Sequence, residues 1–310
     1  MKIKNILPIV GILILVYLLI KIGVGNILSS ISDFNFWYSP LVILCICLPL
    51  VIGPYKWGLL LRAQKIKIDF YSLFKLNLAS IFYSSITPGR VGSFIKIYYF
   101  KNHAKKKLGE CASSIMIDRF LDLFTVVLFA VFGAIVLVHY FSGVLIPFII
   151  LLFAILVGFI FFFNKQRSEW VLKYVYRFLV PKKLKEIARD SFHSFYKNLP
   201  RKRDLILPFL VSIVHWFAIY SASYFVFLAL GMKINYFIYI FLFSVASLIS
   251  FLPVTIAGLG TREASLVGIF GLFNISAAQI VAVSLISFAF GIFPVLIGWY
   301  VSIAERSFYD

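Results

Sequence analysis

Six runs of about twenty predominantly apolar residues dominate the chain, at about 5–22, 41–61, 112–138, 143–163, 205–230 and 276–303. Each is long enough to cross the hydrocarbon core of a bilayer as a helix. Of the 310 residues, 62% are hydrophobic and only 14% charged, which leaves too little polar surface to clothe a water-soluble globule. The expected fold is an all-α polytopic membrane protein. The sequence KIGVGNILSS after the first run offers no A-x-A cleavage site, so that run reads as a retained span rather than a signal peptide.

Two further apolar stretches, about 70–101 and 236–272, are broken near the middle by Pro and Gly. Each is too long for one span and divides into pieces too short for two, the pattern of a re-entrant helical hairpin; if both cross fully, the chain has eight spans. Charge sets the orientation. The segment 164–204 holds twelve Lys or Arg and four acids, so it belongs to the cytoplasm. Its Trp170, Tyr174 and Phe178 at i, i+4, i+8 predict an amphipathic connector on the membrane surface. Working outward from that anchor, Arg62, Lys65 and Lys67 and then Lys101 and Lys105–Lys107 fall inside, 140–142 and 231–235 outside, and both termini in the cytoplasm. The chain then divides into halves of inverted topology, about 1–138 and 143–310, each with three full spans and a hairpin before the last. That is a known transporter architecture. The hairpins share a short likeness, Ala79-Ser80-Ile81 before Pro88 and Ala246-Ser247-Leu248 before Pro253.

Net charge of +18 would suggest nucleic acid in a soluble domain, but here the basic residues lie in loops facing anionic lipid and no recognition motif accompanies them. Cys45, Cys47 and Cys111 form no disulfide framework or metal spacing. His103, His139 and His193 flank loops without metal spacing, and His215 within an apolar span reads as a packed neighbour or a proton relay. No Walker A motif is present, and no cofactor is expected.

The breaks carry the chemistry. A half-helix start has N–H groups without intrahelical partners, and in lipid these need protein, water or a ligand. In the first break Pro88, Gly89, Arg90 and Gly92 lead to a half-helix beginning near Gly92-Ser93. In the second, Pro253, Gly258 and Gly260 lead to one beginning near Thr261, followed by Arg262. Gly, a hydroxyl, free N–H groups and Arg are the equipment for holding phosphate or carboxylate. Against this stands the plainer reading of kinked helices with snorkelling arginines. Asp118 and Asp122, at i, i+4, share a helix face while Arg119 points about 100° away. Two carboxylates on one face need a cation, for which Arg90 or Arg262 is the expected partner, unless both are solvated at the interface. Glu263 either balances Arg262 or occupies a favourable first helical turn.

The order P-G-R-x-G, D-R-x-x-D, G-x-G-x-R-E resembles the membrane domain of lysylphosphatidylglycerol synthases and their stand-alone flippase-like relatives. It is carried by Pro88, Gly89, Arg90 and Gly92, by Asp118, Arg119 and Asp122, and by Gly258, Gly260, Arg262 and Glu263. The family pattern often has an acid after the first motif's glycine, where this chain has Ser93. The resemblance implies movement of a lipid or lipid-linked polar group between leaflets. The chain stops at Asp310 without the soluble aminoacyl-transfer domain of the bifunctional members, so synthase activity is not expected.

The leading expectation is a flippase for an anionic phospholipid or polyprenyl-linked headgroup, with a homo-oligomer compatible. A membrane-embedded enzyme acting on a lipid phosphate, with Asp118 or Asp122 as base, and a small-solute secondary transporter are the alternatives. The topology is testable by single-cysteine labelling in a background without Cys45, Cys47 and Cys111. Probes at Lys105 and Lys183 should react from the cytoplasm and a probe within Gly231–Asn235 from outside; cytoplasmic-only access at the last site would overturn the inverted arrangement.

Overall fold

Lipid cannot hydrogen-bond a backbone, so a chain this apolar must satisfy its peptide groups internally, and every described element is helical. The computed structural model describes residues 7–87, 91–97, 108–166, 193–197, 199–251, 258 and 260–304. In chain order the helices are α1 (Leu7–Ile22), α2 (Val24–Ser32), α3 (Ser39–Ala63), α4 (Phe70–Ile86), α5 (Leu108–Leu137), α6 (Leu145–Phe162), α7 (Ile206–Ala229), α8 (Tyr236–Phe251), α9 (Thr261–Gly271) and α10 (Ala277–Ala304). A short 3-10 turn, Val91–Phe94, follows α4 and continues helically to residue 97.

All six apolar runs are helices, but they are not equally long. Four, α3, α5, α7 and α10, are long and apolar enough to cross a membrane, while α6 is apolar but shorter, as is α8 of the second broken stretch. The first run does not stop at residue 22. Gly23 takes a positive φ of 88°, and the chain turns by 82° into α2, so that α1 and α2 pass the spanning test only as a bent pair. The nine residues of α2 buried Ile27 on one side, too short a pattern to register among longer apolar runs.

Both predicted breaks are present. Asp69 caps α4 by accepting from the Ser72 N–H at 2.8 Å, and α4 ends at Ile86, before the first break. In the second, α8 ends at Phe251 and α9 starts at Thr261, where the sequence placed it. Most of the predicted connector 164–204 lies outside the described residues.

The packing is inverted relative to a soluble protein. Of the apolar window of α3 only 11% is buried; Leu41, Ile43, Leu44 and Val51 face outward while Lys56 is buried. Outward apolar side chains are what a lipid solvent wants. Inside, α5, α7, α8, α9 and α10 share an aromatic core in which Phe227 and Tyr239 rings lie 4.9 Å apart and Tyr239 and Phe270 5.2 Å apart. Tyr239 keeps its hydroxyl paired with Ser223 Oγ at 2.8 Å.

The most extensive helix contacts join α3 to α7, α5 to α8 and α4 to α10. Two of these crossings are closed by glycine. A Cβ at Gly133 of α5 would stand 2.3 Å from the Phe241 carbonyl oxygen of α8, and one at Gly298 of α10 would stand 2.2 Å from the Leu78 carbonyl oxygen of α4. Small residues let helix backbones approach where no hydrophobic force drives them together. Gly133→Ala and Gly298→Ala should therefore each destabilise the protein by about 1–3 kcal/mol through overpacking. Gly291→Ala, whose Cβ would meet nothing within 4 Å, should be neutral or mildly stabilising. Detergent-solubilised melting curves check this, and equal melting of all three variants would contradict it.

Candidate functional site

Lys56 lies in the second half of α3, six residues before Arg62 in the helix's last turn, or about 9 Å further in at the helical rise. Its helix face also carries Gly53, Trp57, Leu60 and Gln64, spaced as one stripe. That stripe meets α5 and α7. Trp57 Nε1 donates to Ser114 Oγ at 3.2 Å and Gln64 Nε2 to Ser113 Oγ at 2.9 Å, locking α3 to the start of α5.

Here the two aspartates find their cation. Asp118 and Asp122 are both buried and both face the Lys56 ammonium. Asp118 Oδ1 lies 3.0 Å from Nζ, off the axis that a hydrogen bond needs. Asp122 Oδ1 takes three donors, the Lys56 ammonium, Ser212 Oγ at 3.1 Å and Trp216 Nε1 at 3.1 Å. Neither a solvated interface nor Arg262 is their setting. Arg262 is committed elsewhere and Arg90 is outside the described residues. Arg119, expected to point away, bends back far enough to bring Nη1 within 3.7 Å of Asp122 Oδ2, with its side chain about one-third exposed.

The arm after the first break adds a second lysine. Lys96 is buried, donates to Asn77 Oδ1 of α4 at 2.8 Å, and stands over the Trp57 ring at 5.0 Å from its centroid. It lies within electrostatic reach of Lys56, Asp118, Arg119 and Asp122. His215 of α7 joins from the opposite side. A Cβ on Gly53 would be 3.4 Å from both His215 Cε1 and Asn77 Nδ2, so this glycine leaves room for the two to meet. His215 Nδ1 is buried and makes no hydrogen bond.

At the described edge of the break the donors are used internally. The Gly92 N–H donates to Thr87 Oγ1 at 2.7 Å, and Thr87 Oγ1 donates to the Tyr83 carbonyl at 2.9 Å. Any side chain at 92 would collide with that carbonyl, since its Cβ would be 2.0 Å away. Ser93 beside it is buried. Pro88, Gly89 and Arg90 lie outside the described residues.

The second break forms its own cluster. Gly258 and Gly260 both have positive φ, 77° and 81°, a backbone that glycine adopts at no steric cost. Glu263 at the third position of α9 reaches back to accept from the Gly260 N–H at 2.6 Å, the acidic half of a capping box. Its other oxygen takes Arg262 Nε at 3.2 Å, Arg262 Nη2 at 2.9 Å and Ser284 Oγ of α10 at 2.5 Å. Arg262 Nη2 also donates to Ser284 Oγ at 2.8 Å, and Thr261 Oγ1 donates to the Gly258 carbonyl at 3.2 Å. Glu263 thus balances Arg262 from the first turn of α9, and it also caps the helix start, a role the sequence reading did not assign to it. Pro253 lies outside the described residues, as does most of the loop between α8 and Gly258.

Sequence reasoning passed over Lys56, Lys96, Asn77 and the α7 residues Ser212 and Trp216. A signal existed for the lysines: a charge inside an apolar span is a functional hypothesis by default. Nothing comparable marked Ser212 or Trp216. Among the described residues, no group of three or more His, Cys, Asp or Glu is arranged to hold a metal ion.

The cluster can hold charge but is poorly suited to general-base chemistry, because both carboxylates are spent on Lys56. Breaking such a buried pair by removing one partner costs roughly 3–5 kcal/mol. Lys56→Met should therefore melt far below wild type, and adding Asp122→Asn should recover part of the loss, since a neutral amide oxygen still accepts from Ser212 and Trp216. A double variant no more stable than the single one would show that the three charges are not coupled.

The chain matches the family described as Lysylphosphatidylglycerol synthase TM region over residues 6–298. It is also similar to a UPF0104 membrane protein of Pyrococcus horikoshii, 24% identical with 91% of each chain covered. Two UPF0104 membrane proteins of Methanothermobacter thermautotrophicus are 23% and 25% identical, covering 91% and 89% of this chain and 90% and 86% of their own.

Proposed function

The chain belongs to the family of the lysylphosphatidylglycerol synthase transmembrane region, and on that premise we propose that it moves the polar headgroup of a lipid between bilayer leaflets. The observation that carries this reading is the charge cluster of Lys56, Asp118 and Asp122, buried where three apolar helices meet. Charges at membrane depth are costly and are kept where a polar species must be accommodated. The two broken stretches, each with Gly and a charged residue at the break, are of the kind with which broken-helix transporters hold their substrates. Pro88, Gly89, Arg90, Gly92 and Ser93 at one break, and Pro253, Gly258, Gly260, Thr261, Arg262 and Glu263 at the other, are the proposed substrate-contacting residues, together with Asp118, Arg119 and Asp122.

Two features of the packing support the reading. First, exchanging α3 with α7, α4 with α8 and α5 with α10 turns the α5–α8 contact into the α10–α4 contact and leaves α3–α7 unchanged. A two-fold relation between inverted halves has that consequence, and the glycine-closed crossings at Gly133 and Gly298 obey it. Second, an apolar groove of about 290 Å³ runs along α5, lined by Phe120, Leu121, Phe124, Phe159 and Phe209, with Lys202 among its lining residues. It suits an acyl chain, and Leu121 is the neighbour of Asp122.

Reconstitution into liposomes with fluorescent lipid in one leaflet tests the function directly. Labelled lipid should change leaflet without changing mass in the presence of wild type. Arg262→Lys, which loses the planar fork shared by Glu263 and Ser284, should slow that movement about tenfold or more, the factor expected from loss of about 1.4 kcal/mol. Asp122→Asn should slow it while leaving the protein inserted. Chemical conversion of the lipid would favour an enzyme instead, and wild-type rates in both variants would remove these residues from the pathway.

A further inference from the structure

Among the described residues the charges around Lys56 do not balance. Three cations, Lys56, Lys96 and Arg119, share this interior with two carboxylates, Asp118 and Asp122, and Lys56 faces both carboxylates. Arg119 reaches Asp122 and is partly exposed. Lys96 is 2% exposed, forms no ion pair with a described acid, and among the described residues its ammonium donates only to Asn77 Oδ1. An ammonium has three N–H donors, and among the described residues two of them meet no acceptor, with the face of Trp57 beside the ammonium. A buried charge left in this state is expensive unless it is paired. A second unspent polar atom, His215 Nδ1, lies in the same interior, where His215 and Asn77 converge on Gly53.

We propose that Lys96 is the seat of a monoanionic phosphodiester, the headgroup phosphate of an anionic phospholipid, which supplies the one negative charge the cluster lacks. This deepens the lipid-transport reading and rests on it for the source of the phosphate. The surplus of one among the described residues fits a phosphodiester, which carries a single charge, and Lys96 lies on the arm just after the first break, among the elements proposed to contact substrate. Asn77 then acts as the placeholder that holds the ammonium while the ligand is absent.

The test separates ligand binding from structural burial and from lipid movement. Purified wild type, Lys96→Met and Lys96→Arg are melted in detergent alone, then in micelles doped with phosphatidylglycerol or with diacylglycerol, and with inorganic phosphate added to the buffer. Without lipid, Lys96→Met should melt at or above wild type, because it removes an unpaired buried charge. Phosphatidylglycerol should raise the melting temperature of wild type, leave Lys96→Met unmoved and be partly restored in Lys96→Arg, while diacylglycerol, which lacks phosphate, shifts none. A Lys96→Met protein that melts well below wild type yet keeps its full phosphatidylglycerol shift would overturn the proposal and return Lys96 to a structural role. An equal shift with diacylglycerol would also overturn it, by removing phosphate from the recognition. A Lys96-dependent shift with inorganic phosphate but not with phosphatidylglycerol would overturn the lipid source. In the leaflet assay, wild type that moves no lipid but keeps the Lys96-dependent shift would defeat the transport reading alone; movement of phosphatidylglycerol at the wild-type rate by Lys96→Met would defeat the Lys96 assignment alone.

Discussion

One ammonium facing two carboxylates inside a lipid-solvated bundle is the interaction on which the arrangement of helices depends. Lys56 comes from α3, Asp118 and Asp122 from α5, and the donors that complete Asp122 from α7. No one of these helices can be drawn away without leaving a charge or a polar group unpaired in a medium that cannot solvate it. Apolar packing between membrane helices is weakly directional, since a leucine is as content against lipid as against another helix. The charged contact is directional, and it sets which face of α3 looks inward.

The two clusters solve the same problem at different depths of commitment. At the second break, Arg262, Glu263 and Ser284 close on themselves: one cation, one anion, a capped helix start and a hydroxyl shared between them. At the first, the charges come from α3, α5 and the arm after α4, and among the described residues they do not sum to zero. A self-contained cluster is suited to holding a backbone break in shape. An open one is suited to exchanging partners.

Local patterns were legible in the sequence, and long-range pairings were not. Runs of apolar residues located every long helix within a few residues, because in lipid the spanning helix is nearly the only available structure. Pro and Gly located both breaks. The i, i+4 spacing of Asp118 and Asp122 correctly put them on one face, but the identity of their cation depended on how α3 crosses α5, which no periodicity records. Lys56 was hidden by its neighbours: in GPYKWGLLLR a single charge barely lowers the hydropathy of the run. The bend into α2 was missed because it turns on one glycine, Gly23, and nine residues are too few to set a pattern apart from a loop.

At Gly260 an added Cβ would come within 2.0 Å of the Gly11 carbonyl oxygen, and α1 packs on α9 while α2 packs on α10. The first helices in the sequence therefore take their partners from the last. During synthesis α1 and α2 must wait in the bilayer, with that side bare to lipid, until nearly the whole chain has been inserted. Assembly of this protein thus closes as a ring in which amino-terminal and carboxy-terminal helices meet at the end, and a chain interrupted before α9 leaves its own beginning without a place to dock.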